Sequence, residues 1–140
     1  MKRYNLVMVF NQTEDKVLMC YRSKEPYKGL YNFAGGKVEL GEDYLSSAYR
    51  ELFEETGISK NDINLSPFID FNWHPIKMEM KVFIGVLNKE VNLIEEDHKL
   101  YWIDTNENFF DMTRFAGEGN IGHMFEIYKQ HRELIIKKDI

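Results

Sequence analysis

The sequence predicts an α/β domain, and three observations carry that prediction. Residues 4–10 and 16–21 are nearly continuous apolar runs on either side of a polar turn at 11–15, which suits paired strands covered on both faces. Residues 77–87 alternate, with Met78, Met80, Val82, Ile84 and Val86 facing one way and Glu79 and Lys81 the other. Two further stretches, one ending at Gly57 and one near the C-terminal end, carry apolar residues at helical spacing.

Taken in order, the first two strands are followed by Arg22 and Lys24 and then by a loop containing Pro26 and Gly29. Residues 31–34 lead into Gly35 and Gly36. Gly41 supplies a turn, and Glu42 and Asp43 place negative charge where a helix N-terminus favours it. Gly57 is placed for a left-handed C-cap, with Ile58 as its apolar contact. On this first helix Leu45, Tyr49 and Leu52 form a face that can pack on a sheet, and the small Ser47 leaves the neighbouring face open.

Residues 67–73 read as a strand, Pro75 marks a turn, and the alternating run at 77–87 closes a hairpin. Residues 91–94 precede an acidic cluster, Glu95, Glu96, Asp97 and then His98. A short strand at 100–103 carries Trp102, and residues 105–111 read as a helical turn with Phe109 and Phe110 inward. Asn120 is placed to cap the last helix, whose core side is Ile121, Met124, Phe125, Tyr128 and Ile135.

The 140 residues suit one domain spanning residues 1–140, with 44% hydrophobic composition. A net charge of -5 argues against a nucleic-acid polymer as partner. An acidic chain that binds polyphosphate needs metal and local basic residues. The single cysteine, Cys20, excludes an internal disulfide framework, fits a reducing compartment and reads as a core residue. The start, Met1-Lys2-Arg3-Tyr4-Asn5, has no apolar signal region, and no run reaches about 18 apolar residues. A cytoplasmic protein without a membrane partner is expected; oligomeric state is left open.

The chemistry is concentrated in Glu51, Glu54 and Glu55. At helical spacing they share a wedge of about 100°. Like charges at that spacing cost a few tenths of a kcal/mol per pair, and a hard divalent cation removes the cost. Mg2+ takes oxygen ligands and keeps waters, so it also holds phosphate oxygens. A solvated acidic helix face is the alternative reading.

The full pattern favours the metal reading. Gly36, Glu42, Arg50, Glu51, Leu52, Glu54, Glu55, Gly57 and Ile58 follow Gly-x5-Glu-x7-Arg-Glu-U-x-Glu-Glu-x-Gly-U, where U is a bulky aliphatic residue. Chance gives such a match at one start with a frequency below about 10^-9. The stretch resembles the complete signature of the Nudix hydrolase family, and of its MutT-like members.

That resemblance implies a Nudix fold, an α/β/α sandwich around a mixed, curved β-sheet. It implies metal-dependent hydrolysis of a nucleoside diphosphate linked to another group, with Mg2+ or Mn2+ held by the Gly35 carbonyl, Glu51, Glu54 and Glu55. Arg50 then orients the glutamates, and Glu42 ligates a further ion or pairs with Arg50. Lys37 meets a phosphate oxygen. Arg22 matches an arginine that contacts substrate phosphate, the alternative being a surface charge. Glu96, six residues before Trp102, matches a glutamate that reaches the metal or acts as general base; Glu95 and Asp97 are its substitutes, and a solvated acidic loop is the plain alternative.

Residues 31–37 also resemble a stretch of animal enzymes that hydrolyse oxidised purine triphosphates, in which the asparagine matching Asn32 bonds the base. The run 69–83 lines up with a hairpin of the same enzymes. Asn120 matches an asparagine that reads the purine edge in bacterial mutator-type enzymes. Asn32 bonding its own backbone and Asn120 capping its helix are the alternatives. The function so implied is a pyrophosphohydrolase of a small nucleotide, a triphosphate such as 8-oxo-dGTP, cut to the monophosphate and pyrophosphate. Hydrolysis of ADP-ribose or a dinucleoside polyphosphate is a second reading, with Pro75 placed where ADP-ribose relatives carry a proline. A non-catalytic nucleotide-binding module is a third, against which stands the full set of carboxylates.

Overall fold

The computed structural model describes residues 1–136. Its framework is one mixed sheet. Strand β1 (Lys2–Phe10) runs parallel to β6 (Met78–Val86), in register from Lys2 with Met78 to Phe10 with Val86. Strand β5 (Ser66–Trp73) pairs antiparallel with β6, and the two are joined through a single 3-10 turn at His74–Ile76. On its other edge β1 meets β2 (Lys16–Tyr21) only near the shared turn, at Phe10 and Val17. The rest of that edge is taken by β4 (Ala34–Lys37), with Leu6 opposite Gly35 and Asn5 opposite Gly36. β2 therefore diverges from β1 and pairs instead with β3 (Tyr31–Asn32) and β7 (Lys99–Asp104).

Period-2 alternation then builds two cores from the same strands. On one side Met8, Phe10, Val17, Met19, Val82 and Ile84 pack against helix α2 (Asn120–Ile135) through Ile121, Met124, Phe125 and Tyr128. On the other, Val7, Val9, Leu18, Cys20 and Phe83 pack against helix α1 (Tyr44–Thr56) through Ala48 and Leu52. A sheet covered by a helix on each face is the α/β/α sandwich the family resemblance implies.

Helix α1 begins where Asp43 accepts a hydrogen bond from the Ser46 N–H at 2.7 Å. It ends at Gly57 in the left-handed conformation. Its roll about its axis differs from the expectation. Ser47 is 0% exposed and its hydroxyl accepts from the Asn5 amide at 2.7 Å, whereas Leu45 is 42% exposed. Two causes act together: Asn5, a buried polar residue in β1, needs a partner, and Gly35 and Gly36 have no side chains to keep the helix away. The side expected to stay open is the side that approaches the glycine strand.

The second helix also differs at its start. Gly119, at φ +90°, occupies the cap position, no side chain caps the helix, and Asn120 is its first helical residue. Residues 117–119 are all at positive φ, so the chain enters the helix through a left-handed turn. Residues 105–111 form turns rather than a helix, with Phe109 buried and Phe110 half exposed at 50%. Phe110 instead lies over Gly122, where an added Cβ would stand 2.5 Å from its ring.

Candidate active site

The site forms where β4 passes the middle of α1. Gly35, at φ +153°, runs so close to β1 that a Cβ there would lie 2.2 Å from the Asn5 carbonyl. At Gly36 the added Cβ would fall 2.8 Å from the Glu51 carboxylate. Glycine is therefore required twice, once for the strand and once to admit a carboxylate. Asn5 ties the parts together, its Oδ1 accepting from Gly36 N–H at 3.4 Å while its amide donates to Ser47. Sequence reasoning missed this pair. Its signal was a lone asparagine inside an apolar strand.

Arg50 is the hub of the acidic face. It makes a two-point contact with Glu42, at 2.7 and 3.0 Å, and this guanidinium holds the Glu42 carboxyl down at about 2. Its Nη1 donates to both Glu51 and Glu54 at 3.1 Å, and its Nη2 to the Lys37 carbonyl at 3.3 Å. Arg50 thus orients Glu51 and Glu54, and Glu42 is its partner. The Lys37 side chain is exposed at the end of β4.

Glu55 lies deeper, accepting from Gly35 N–H at 3.4 Å and from the Cys20 thiol at 3.9 Å. Burial, and then the charge of Glu51, push its carboxyl up to about 7. Burial likewise raises Glu51, against the opposing charge of Arg50. Burial and Glu55 push the Cys20 thiol up to about 12, so it is an inert core thiol, as its apolar run suggested.

Two loops face this carboxylate. Arg22 lowers the pKa of Glu55, and its Nε donates to the Pro26 carbonyl at 2.6 Å, which fixes the guanidinium at the end of β2. Asp97 acts on Glu55 in the opposite sense. The acidic loop is held by Ile94, whose N–H bonds the Thr56 carbonyl at 2.9 Å. Within the loop Glu95 accepts from Leu100 N–H at 2.8 Å and so belongs to the start of β7. Glu96 shares a shallow surface depression with Glu54, Phe53, Gly57, Ile94 and Asp97. His98 is a neighbour of Ser23, with Nδ1 3.4 Å from the hydroxyl.

The two asparagines separate in character. Asn32 bonds its own backbone, its Oδ1 accepting from Phe33 N–H at 2.8 Å. Asn120 is half-buried at the mouth of α2 and does not cap it. Phe71 and Trp73 stack on each other at 5.6 Å, while Tyr31 packs edge-on against Tyr21 and Tyr101.

Among the described residues no three acidic, histidine or cysteine side chains form a ready-made metal cluster. The donor set nonetheless fits a hard divalent ion. Glu51 and Glu55 are half-buried carboxylates, the charge of Glu51 raises the cost of ionising Glu55, and the glycine strand leaves room beside Glu51.

A family model, NUDIX domain, matches residues 1–123. The chain belongs to the Nudix family. It is a hydrolase of phosphoric anhydride bonds, and Nudix hydrolases generally use divalent metal ions and act on small nucleotide substrates. The chain is 34% identical, over 79% of its length, to the uncharacterized Nudix hydrolase YvcI of Bacillus subtilis, of which it spans 71%. It is 38% identical, over 68% of its length, to an ADP-ribose pyrophosphatase of Methanocaldococcus jannaschii, of which it spans 58%. In structure it resembles a C. elegans Ap4A hydrolase, with a TM-score of 0.73 at 16% identity, covering 93% of this chain and 98% of the other. That likeness establishes the fold. In this Nudix chain the Gly35–Gly36 strand and the carboxylates of α1 lie on one face, with Arg50 among them.

Proposed function

We propose that this Nudix chain is a Mg2+-dependent pyrophosphohydrolase of a purine nucleoside triphosphate, 8-oxo-dGTP being the leading candidate, releasing the monophosphate and pyrophosphate. The observation that carries the reading is that carboxylates and a base gather at the glycine strand: Glu51 lies against Gly36, Glu55 accepts from the Gly35 N–H at 3.4 Å, and Arg22, tied to the Pro26 carbonyl at the end of β2, acts on Glu55 with the opposite charge. Polyphosphate chemistry needs both signs at one place, acids to hold cations and a fixed base to hold phosphate oxygens.

Glu51, Glu54, Glu55 and the Gly35 carbonyl would hold Mg2+ or Mn2+. Bound there, the ion neutralises phosphate charge and lowers the pKa of water. Arg22 and Lys37 bind phosphate oxygens. Glu96 takes the proton of the attacking water, and attack is in line at the β phosphorus. Arg50 keeps Glu51 and Glu54 in place. Asn120, without a capping duty, offers donor and acceptor together to the purine edge, and the Asn32 amide is its partner. Phe71, Trp73 or Tyr31 supplies a face for the ring. We place the protein as one domain in a reducing, cytoplasmic setting, consistent with the free buried thiol of Cys20.

ADP-ribose or dinucleoside polyphosphate hydrolysis is the second reading, favoured by the relative that carries an ADP-ribose pyrophosphatase name. The test is kcat/KM for the four normal dNTPs, 8-oxo-dGTP, ADP-ribose and a dinucleoside polyphosphate. Purine triphosphates should lead pyrimidine ones by at least about tenfold, since a wrong base leaves a polar group unpaired. If ADP-ribose leads, the triphosphate reading fails and the family assignment stands. If nothing is hydrolysed but nucleotides bind, the chain is a binding module.

A further inference from the structure

The loop at 22–30 and the loop at 113–119 come from distant parts of the chain; a backbone bridge between Tyr31 and Phe115 brings them together, and a side-chain contact joins their tips. The Tyr27 hydroxyl donates to the Glu118 carboxylate, straddling its two oxygens at 3.0 and 2.9 Å. Both residues are non-glycine residues at positive φ, +66° for Tyr27 and +52° for Glu118. Such backbone persists only where its surroundings hold it. The Tyr27 ring packs on the α2-side core, so the loop tip is anchored as well as bonded.

Each end of this contact leads to a residue of the proposed substrate site. On one side, the Arg22 guanidinium bonds the Pro26 carbonyl, and Arg22 also closes the loop through its backbone, with Leu30 at 3.0 Å and Gly29 at 2.9 Å. On the other, Glu118 and Gly119 form the turn that delivers Asn120, whose N–H bonds the Gly117 carbonyl at 3.0 Å. The contact therefore joins the phosphate end of the site to its base end.

We propose that Tyr27 is a positioning residue for base recognition, latching Glu118 so that the left-handed turn presents Asn120 at a fixed distance from Arg22. This rests on the reading of Asn120 as the residue that meets the base. A nucleoside triphosphate is recognised at both ends only if those ends are held in register, and a loosened turn costs substrate affinity before it costs chemistry.

The experiment measures kcat and KM for 8-oxo-dGTP, dGTP and dCTP with wild type, Tyr27→Phe, Glu118→Ala, Glu118→Gln, Asn120→Ala and the Tyr27→Phe/Glu118→Ala double variant. Tyr27→Phe keeps the ring and removes only the hydroxyl. It and Glu118→Ala should each lower the purine-to-pyrimidine ratio of kcat/KM about fivefold, the scale of one hydrogen bond, mainly through KM. The double variant should be no worse than either single one. Glu118→Gln, whose amide oxygen still accepts from Tyr27, should keep the ratio. If Asn120→Ala lowers the ratio while Tyr27→Phe and Glu118→Ala both keep it, the latch is wrong and the base reading stands. If kcat falls equally for all three substrates, the contact is merely structural and the proposal is overturned. If wild type has no purine preference, or Asn120→Ala retains it, the base reading fails and the latch falls with it. Should Tyr27→Phe fold poorly, the Glu118→Ala and Glu118→Gln pair decides the matter alone.

Discussion

Ile94 donates its backbone N–H to the Thr56 carbonyl at 2.9 Å and lays its side chain over Gly57, where an added Cβ would stand 3.1 Å from it. Strand β6 and the acidic loop are far from α1 in sequence. This one contact brings the loop to the last turn of the helix, so that Glu96 and Glu54 border the same depression. The glycine at that position thus has two duties, a left-handed cap and a seat for the loop.

Gly57→Ala should expose both duties. A side chain at φ +79° costs roughly 1–2 kcal/mol in the left-handed region, and Ile94 must also move. We expect a lower thermal midpoint together with a fall in kcat of about tenfold if the loop shift displaces Glu96 by even about 1 Å. A variant that loses stability but keeps full kcat would show that the position of the loop does not matter for chemistry.

Hydrolysis should depend on divalent metal. A chelator should abolish it, and Mg2+ or Mn2+ should restore it. Glu54→Gln should lower kcat by about 10^2-fold, the scale of a lost electrostatic contact in a transition state. Unchanged rates in that variant would exclude this helix face as the metal site.

The proton acceptor is tested by three substitutions. Glu96→Gln should depress kcat by about 10^2 to 10^4 with little change in KM. Glu95→Gln should leave both turnover and stability nearly unchanged, because Glu95 is occupied by the Leu100 N–H and the Gln amide oxygen can still accept that bond. If Asp97→Asn alone abolishes turnover, Asp97 is the base. If all three variants turn over normally, the base lies among the α1 glutamates.

Metal-free protein should lose stability on the alkaline side because of Glu55. Its carboxyl is raised from 4.5 to about 7. Between those values the folded state keeps a proton that the unfolded chain has released, so stability falls as pH rises through the window. The penalty is absent below about pH 4.5 and complete above about pH 7, on the order of 3 kcal/mol. Glu55→Gln should therefore stabilise the metal-free protein at pH 8 and have little effect at pH 4. Glu42 works in the other direction: Arg50 lowers it to about 2, so its contribution is present above 4.5 and lost as pH falls towards 2. Urea midpoints in chelator at the two pH values check this, and equal midpoints for wild type and Glu55→Gln at pH 8 would refute it.

The sequence by itself determined the family, the two helices, the strand alternation and the identity of the acidic face. Those features are local. A cap, a left-handed glycine or a stripe of glutamates is written within about two helical turns, and the spacing from Gly36 to Ile58 is covalent. Only the tertiary structure decided how the parts face each other. Helix α1 turns Ser47 inward because Asn5, forty-two residues earlier, needs a buried partner. Glu95 is taken by β7, and Asn120 is released from capping by Gly119. Glu118 meets Tyr27 across 91 residues. Each outcome depends on which buried polar group finds which partner, and that competition is settled by packing between distant segments, on which hydropathy and spacing are silent.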